Sequence, residues 1–155
     1  MLVSTSSEVG EKSVATWQRL ADIIERRGFD PRTADASRAF SPGFCERHPE
    51  VVRAFGQANA DNDAAAYAAA ARAVSDYRLT DALATVTVPV LILQGLADRM
   101  TPPGGSVKMS RALPRCRLLM IPEVGHNLPI EVPELFCHTV LGFTAGCELA
   151  AKPRP

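Results

Sequence analysis

Two short apolar runs, each followed by a residue suited to acid–base chemistry, most constrain what this chain can fold into. Residues 88–93 lead to Asp98, and residues 118–121 lead to His126. Short runs rich in Val, Ile and Leu are typical of strands buried on both faces of a parallel sheet. Because open α/β sheets bind ligands beyond the carboxyl ends of their strands, we expect Asp98 and His126 to lie close together on one edge.

An Asp beside a His predicts an orienting acid and a general base that serve a nucleophile. Asp98 would accept a hydrogen bond from the ring nitrogen of His126 that faces away from the nucleophile, and so fix the tautomer. The alternatives are a turn Asp that binds its own backbone and a loop His that only packs. The 155 residues contain no Gly-x-Ser-x-Gly motif, and Ser106 follows a glycine but has none two positions later.

Composition argues against several classes of function. Lys and Arg number 17, as do Asp and Glu, so no basic surface for nucleic acid is indicated. No apolar run approaches the ~20 residues of a membrane span, and the first residues do not resemble a signal peptide. The four cysteines lack the close pairs of a zinc site, which favours reduced thiols in a cytoplasmic protein. We therefore expect no nucleic-acid partner, no membrane and no metal.

The first half of the chain has helical periodicity. One helix is predicted to end at Gly28 after a basic last turn, and a turn-rich connection around Pro31 follows. Pro49 is expected to begin another helix, and Asn62 to cap an alanine-rich helix that ends near Asp76. The apolar face predicted for the first helix consists of Val14, Trp17, Leu20, Ala21 and Ile24.

The second half has the pattern β-α-β-α. We predict strands at 87–94 and 117–121, a helix at about 106–113, a loop at 122–130 and a final helix at 133–144. Residues 1–4 are expected to end a further strand. So few strands make a poor sheet, so the chain is expected to be a piece of a larger α/β domain. The apolar face predicted for the final helix consists of Leu135, Phe136, Val140 and Phe143.

Two motifs resemble parts of the α/β-hydrolase fold. Residues 88–102 resemble its penultimate strand and acid loop, and residues 121–136 resemble its histidine loop and the start of its last helix. The chain as a whole is similar to the C-terminal half of that fold, and most similar to 3-oxoadipate enol-lactonases and related esterases. The resemblance implies an α/β fold with a few parallel strands, flanking helices and an inserted helical cap.

The resemblance also implies a division of the chain. Residues 1–12 would hold the end of a core strand and a loop, residues 13–84 a helical cap, residues 85–147 the C-terminal part of the core, and residues 148–155 a frayed tail. The chain would supply the base His126 and the acid Asp98 of a Ser-His-Asp triad that hydrolyses an ester or lactone. The nucleophile elbow and the oxyanion loop are missing from the sequence, so the chain alone is expected to be inactive.

Four aromatic residues are candidates for contact with a small-molecule ester or lactone substrate, although aromatic residues at helical spacing also suit a core. Asp76 is a weaker alternative acid, better explained as a residue at a helix end. No cofactor is implied. The candidate substrate-binding residues are Trp17, Phe40, Phe44 and Tyr67.

Other functions remain open at this point. An Asp nucleophile could replace the Ser, as in dehalogenases and epoxide hydrolases of this fold. The chain could instead be a truncated, non-catalytic remnant or an interaction protein that assembles through an unpaired strand edge. As an interaction protein it would have a second copy of itself as partner, whereas as a hydrolase it would have a complementing N-terminal half.

Overall fold

The computed structural model describes residues 1–29, 35–74 and 77–151. The predicted turn at Pro31, the candidate acid Asp76 and residues 152–155 of the predicted tail lie outside these ranges. No helix in the described part of the chain is long and apolar enough to cross a membrane.

The described residues form a three-stranded parallel sheet with the order β1-β2-β3, where β1 is Leu2–Val3, β2 is Val90–Gly95 and β3 is Cys116–Ile121. Leu2 lies opposite Ile92, and β3 runs beside β2 along its whole length. The predicted parallel pairing of the two apolar runs is therefore confirmed. The strand expected at 87–94 begins only at Val90, because Pro89 has no N–H to donate and Val88 is exposed.

The two longer strands differ in burial. Every residue of β2 is buried, as expected for a central strand covered on both faces. The same expectation is wrong for β3, where burial alternates and both Arg117 and Leu119 are exposed. In the described part of the chain β3 lies at the edge of the sheet. Arg117 and Leu119 pair with Leu91 and Leu93, so they belong to the same face of the sheet, and this face is left exposed at β3.

Helices cover both faces of β2. On one face Leu91 and Leu93 pack with Phe136 and Phe143 of helix α7 (Pro133–Ala151). On the other face Ile92 packs with Met109 of helix α5 (Gly104–Ala112). This burial of branched side chains on both faces holds the sheet between two helical layers.

Three details of the second half differ from the prediction. Leu135 is exposed, because the face of α7 toward the sheet consists of Phe136, Val140 and Phe143 instead. The predicted loop 122–130 contains the start of a short helix, α6 (Leu128–Glu131), whose Leu128 is fully buried. Helix α7 also continues past its predicted end to Ala151, through residues assigned to the tail.

The region between β1 and β2 is helical. It contains α1 (Glu11–Arg27), α2 (Pro42–Arg47), α3 (Pro49–Ala60) and α4 (Ala64–Ala73). Among its described residues there are also two short 3₁₀ helices, Ser37–Ala39 and Asp81–Thr85. The cap of α4 is Asp63, whose carboxylate accepts from the backbone N–H of Ala66, rather than Asn62 as predicted.

Two separate apolar clusters stabilise this region. Ala21 of α1 packs with Ala68 and Ala71 of α4, with Trp17 and Tyr67 beside them. The predicted apolar face of α1 is confirmed, and Gly28 ends the helix with a φ of 67°, which suits a residue without Cβ. The second cluster joins the first 3₁₀ helix to α2 and α3, and includes Ala36, Ala39, Phe40, Phe44 and Phe55.

The two ends of the helical region are joined beside the sheet. The Ser7 and Thr80 hydroxyls lie 2.7 Å apart, the Glu8 carboxylate accepts from the Thr80 hydroxyl, and the Glu8 and Arg78 backbones form an antiparallel bridge. The chain therefore leaves the sheet after β1 and returns toward β2 through neighbouring segments, as an inserted region would.

Two glycines allow other backbone to approach the loop that follows β3. Gly95, the last residue of β2, faces this loop, and Gly125 within the loop faces residues 40 and 41. A Cβ at Gly95 would lie 2.2 Å from the carbonyl oxygens of Val124 and Gly125. A Cβ at Gly125 would lie 2.5 Å from the backbone of Phe40 and Ser41. Backbone atoms have little freedom to move away, so both positions require glycine.

We expect Gly95→Ala to lower the free energy of unfolding by about 1–3 kcal/mol or more, the usual cost of overpacking. Urea denaturation would measure the change. Gly142→Ala in α7 is the matched control, because a Cβ there meets nothing within 4 Å, so it should be neutral or stabilise by up to ~1 kcal/mol. Equal effects of the two substitutions would contradict the close approach.

Candidate active site

The loop after β2 presents a buried carboxylate. Asp98 lies three residues beyond the end of β2, and its side chain is fully buried. Its Oδ1 accepts hydrogen bonds from the backbone N–H groups of Met100 and Thr101, each at 2.8 Å. These local bonds form a turn of the type that Asp favours, and they fix one oxygen of the carboxylate.

The loop after β3 brings a histidine to the other oxygen. His126 Nδ1 lies 2.9 Å from Asp98 Oδ2, and the His126 side chain is 27% exposed. A carboxylate on Nδ1 favours the tautomer in which Nδ1 carries the proton. Nε2 is then left as the nitrogen with which the imidazole can accept a proton.

The pKa of the Asp98 carboxyl is lowered from its ordinary value. Burial raises that pKa by penalising the charged form, but four favourable contributions outweigh it. These are the hydrogen bond with His126, the backbone N–H of Thr101, the charge of a protonated His126 and the backbone N–H of Met100. Asp98 therefore remains a carboxylate at neutral pH, as an orienting acid must.

Backbone hydrogen bonds hold the two loops together. The N–H of Leu96 donates to the carbonyl of Ile121, and the N–H of Ala97 donates to the carbonyl of Val124, both at 2.9 Å. The separation of the acid and the base is therefore set by main-chain geometry beyond the ends of β2 and β3.

A segment of the helical region, residues 37–41, binds both loops. Arg99, next to Asp98, donates to the carbonyls of Ser37 and Phe40. Asn127, next to His126, donates to the carbonyl of Ala39 through both its side chain and its backbone N–H. We call residues 37–41 the latch segment, because it is bonded beside each member of the Asp–His pair.

Glu131 of α6 joins the latch segment to the histidine loop. Its Oε1 accepts from the N–H of Gly125 at 2.9 Å, and both its oxygens lie 3.2 Å from the N–H of Ser41. One carboxylate thus satisfies two backbone donors that face each other across the contact at Gly125.

The structure separates the four candidate substrate-binding aromatics. Phe40 and Phe44 are buried and stacked, with ring centroids 5.2 Å apart. Trp17 and Tyr67 lie instead between α1 and α4. Ser106 is fully buried in α5, and its hydroxyl donates to Gln94.

Trp17 also borders an open cleft of about 450 Å³ beside the acid loop. Met100 and Thr101, whose N–H groups bind Asp98, line the same cleft. Polar groups also line the cleft, among them Ser6 from the segment after β1, Ser13 from the helix Glu11–Arg27 and Lys108 from α5.

Sequence reasoning missed three side chains that surround the pair: Gln94, Arg99 and Glu131. Only Gln94 stands out in the sequence, as a polar residue at the end of an apolar strand. Arg99 binds backbone carbonyls about 60 residues away in the chain, and Glu131 binds one N–H six residues away and one 90 residues away, so no local pattern reveals the long-range contacts.

No group of three or more His, Cys, Asp or Glu side chains within the described ranges is placed to hold a metal ion. The cysteines at 45, 116, 137 and 147 are all free thiols. The polar chemistry described at this edge of the sheet is that of the Asp–His pair and its hydrogen-bond partners.

The comparisons with known proteins identify the fold family. A model of the family described as TAP-like protein, an α/β-hydrolase family, matches residues 53–133, slightly more than half of the chain. The chain belongs to this family. The predicted α/β-hydrolase fold is thereby confirmed.

The relatives include lactonases and esterases. The chain is 28% identical over 142 residues to 3-oxoadipate enol-lactonase 2 of Acinetobacter baylyi, and the match covers 90% of the chain and 52% of that protein. A thermophilic esterase from Thermogutta terrifontis is 25% identical with a TM-score of 0.82, over 92% of this chain and 53% of the esterase. A hydrolase from Pseudomonas aeruginosa is 26% identical with a TM-score of 0.84, over 92% and 54%.

The chain spans about half the length of the curated lactonases it matches. Its resemblance to enol-lactonase-like members of the family, inferred from the motifs, is confirmed.

We expect Glu131→Ala to lower the free energy of unfolding by about 1–3 kcal/mol, because the substitution leaves the N–H groups of Gly125 and Ser41 without their acceptor. Urea denaturation would measure the loss. Glu46→Ala, which removes an exposed carboxylate from α2, is the control and should stay within about 0.5 kcal/mol of the parent. A parent-like Glu131→Ala would mean that the two N–H groups do not depend on this carboxylate.

The lowered pKa of Asp98 predicts a dependence of stability on pH. A carboxyl whose pKa is lower in the folded state adds stability above its unfolded pKa, and this stability is lost as the pH falls through the folded pKa. The stability advantage of the parent over Asp98→Asn should therefore be full at neutral pH and shrink as the pH falls below about 4. Denaturation of both proteins across this range would test it, and a constant difference would contradict the lowered pKa.

Proposed function

We propose that this chain is the acid-and-base half of a hydrolase that cleaves an ester or a lactone. The observation that carries the proposal is the 2.9 Å contact between His126 Nδ1 and an Asp98 carboxylate held by two backbone donors. His126 would accept the proton of a nucleophile at Nε2 and return it to the leaving group. Asp98 would fix the tautomer and stabilise the imidazolium.

The nucleophile of this reaction would come from outside the 155 residues. The sequence has no Gly-x-Ser-x-Gly elbow, and the hydroxyl of Ser106 is buried against Gln94. We propose a Ser nucleophile on a complementing N-terminal half, which would also supply the oxyanion donors. An Asp nucleophile at the same place would use Asp98 and His126 for the hydrolysis of an alkyl-enzyme ester.

The helical region would act as a cap over the reacting groups. This proposal is supported by the paired ends of the region at Glu8 and Arg78, and by the bonds from the latch segment to both loops. Trp17 and Tyr67 would contact substrate from α1 and α4, whereas Phe40 and Phe44 would shape the site through the packing of α2. The match to enol-lactonases supports a small lactone as substrate. We also propose that the protein acts in the cytoplasm, which the free thiols of its four cysteines support.

Fusion of the chain to the half of the Acinetobacter enol-lactonase that it does not span would test the proposal. The chain alone should not hydrolyse p-nitrophenyl acetate or 3-oxoadipate enol-lactone faster than free imidazole does, because oxyanion donors and the nucleophile supply most of the rate. The fused protein should hydrolyse both, and Asp98→Asn within it should lower kcat by about 10⁴-fold.

His126→Ala alone should abolish most of the hydrolysis by the fused protein. His138→Ala should leave the rate unchanged, because His138 is an exposed histidine on α7. A folded and active fused protein whose rate is unchanged by His126→Ala would contradict the proposed role of the pair.

A second candidate is an interaction protein that assembles through its sheet edge. The observation in its favour is that β1 pairs only with β2 in the described part of the chain, which leaves one side of the strand open to another strand. Light scattering of the chain alone would give a stable dimer on this hypothesis. An active complex of one copy of the chain with one separately expressed N-terminal half would exclude it.

A further inference from the structure

A second buried polar pair lies behind Asp98. Gln94, near the end of β2, and Ser106, in the first turn of α5, are both fully buried. The Ser106 hydroxyl donates to Gln94 Oε1 at 2.7 Å. The pair lies between the strand that leads to Asp98 and the helix that follows the acid loop.

The surrounding groups define the orientation of the Gln94 amide. Its Nε2 lies 3.0 Å from the carbonyl oxygen of Gly95, 3.2 Å from that of Thr101 and 3.2 Å from Asp98 Oδ2. All three are acceptors, whereas Oε1 faces a hydroxyl. The reverse orientation would set Oε1 against three oxygens, so the amide nitrogen must face the acid loop.

Gln94 therefore binds the acid loop at its beginning, at its functional carboxylate and at its end. Asp98 Oδ1 is fixed by two backbone donors, and Asp98 Oδ2 receives one donor from His126 and one from Gln94. The His126 side chain is partly exposed, whereas that of Gln94 is fully buried, so Gln94 is the more rigid partner of Oδ2.

An apolar side chain at position 94 would pack against the sheet without the free-energy cost of burying an amide. The other side chains of β2 are Val, Leu and Ile, and burial of an amide is unfavourable unless its hydrogen bonds are made. Packing alone therefore does not explain why Gln94 and its partner Ser106 are buried here. The groups that Gln94 binds in the acid loop explain it.

We propose that Gln94, oriented by Ser106, is a positioning residue that fixes the Asp98 carboxylate so that Oδ2 faces His126 Nδ1. The proposal rests on the proposed function, because it deepens the acid–base role given there to Asp98 and His126. Ser106 acts through Gln94, and Gln94 acts through Asp98, so neither is expected to touch substrate.

The test is nitrogen-15 NMR of the imidazoles in the 155-residue chain, which contains only three histidines. His126→Gln identifies the resonances of His126 by their loss. In the parent, His126 should be a single neutral tautomer protonated at Nδ1, with an Nδ1 proton protected from exchange with water. Gln94→Met keeps the side-chain length and removes the donor to Asp98, so we expect mixed tautomers of His126. We also expect the Nδ1 proton to exchange with water about tenfold faster, which corresponds to the loss of one hydrogen bond to a charged group.

Ser106→Ala should change the same resonances in the same direction by a smaller amount, because Gln94 keeps its other bonds. Ser7→Ala is the matched control. It removes another buried serine hydroxyl, one that pairs with Thr80, and it should leave the His126 resonances unchanged. If Gln94→Met does not fold, as judged by amide dispersion, the comparison of Ser106→Ala with Ser7→Ala decides the question.

Two results would overturn the proposal. One is a folded Gln94→Met or, where that variant does not fold, a Ser106→Ala whose His126 resonances equal those of the parent. The other is a parent in which His126 already averages its two tautomers. Failure of the fused protein to hydrolyse lactones while the Gln94 effect persists would instead reject the proposed reaction and leave the positioning role intact.

Discussion

The close approach of the chain after β3 to the end of β2 is the constraint on which the rest of this site depends. A methyl group on Gly95 would overlap the carbonyls of Val124 and Gly125, and a methyl group on Gly125 would overlap the backbone of Phe40 and Ser41. This proximity allows the N–H groups of Leu96 and Ala97 to bond to the chain after β3. The main chain thereby sets the separation of Asp98 and His126, and the side chains need little adjustment to meet.

The buried carboxylate shows how competing electrostatic effects are resolved at this site. Removal of Asp98 from water disfavours its charged form, and an isolated buried carboxylate would become protonated. Donors from Met100, Thr101, Gln94 and His126 compensate both oxygens, so the charge is retained where water is excluded. The same donors limit rotation of the carboxylate, so one set of bonds determines both its charge and its direction.

The sequence was sufficient for the features that depend on local pattern. Apolar runs located β2 and β3, parallel pairing placed Asp98 and His126 on one edge, and helical periodicity identified the face of α1. The burial of β3 is predicted wrongly, because an apolar composition does not tell whether the helix that covers one strand also covers its neighbour. The contacts of Arg99 with Phe40 and of Glu131 with Ser41 could not be predicted, because these partners are backbone atoms distant in sequence, which carry no residue identity.

The latch segment also bears on how the helical region can move. Residues 37–41 are bonded to both loops, and Phe40 and Phe44 extend this attachment into α2 and α3. Helices α1 and α4 pack mainly on one another in a separate cluster. We therefore expect that, in a thermal motion wide enough to let a small molecule enter, α1 and α4 would move away from the sheet together. Helices α2 and α3 would remain attached to it. The entrance to the site would then lie on the side of Trp17, and its width would change without disturbing the distance between Asp98 and His126.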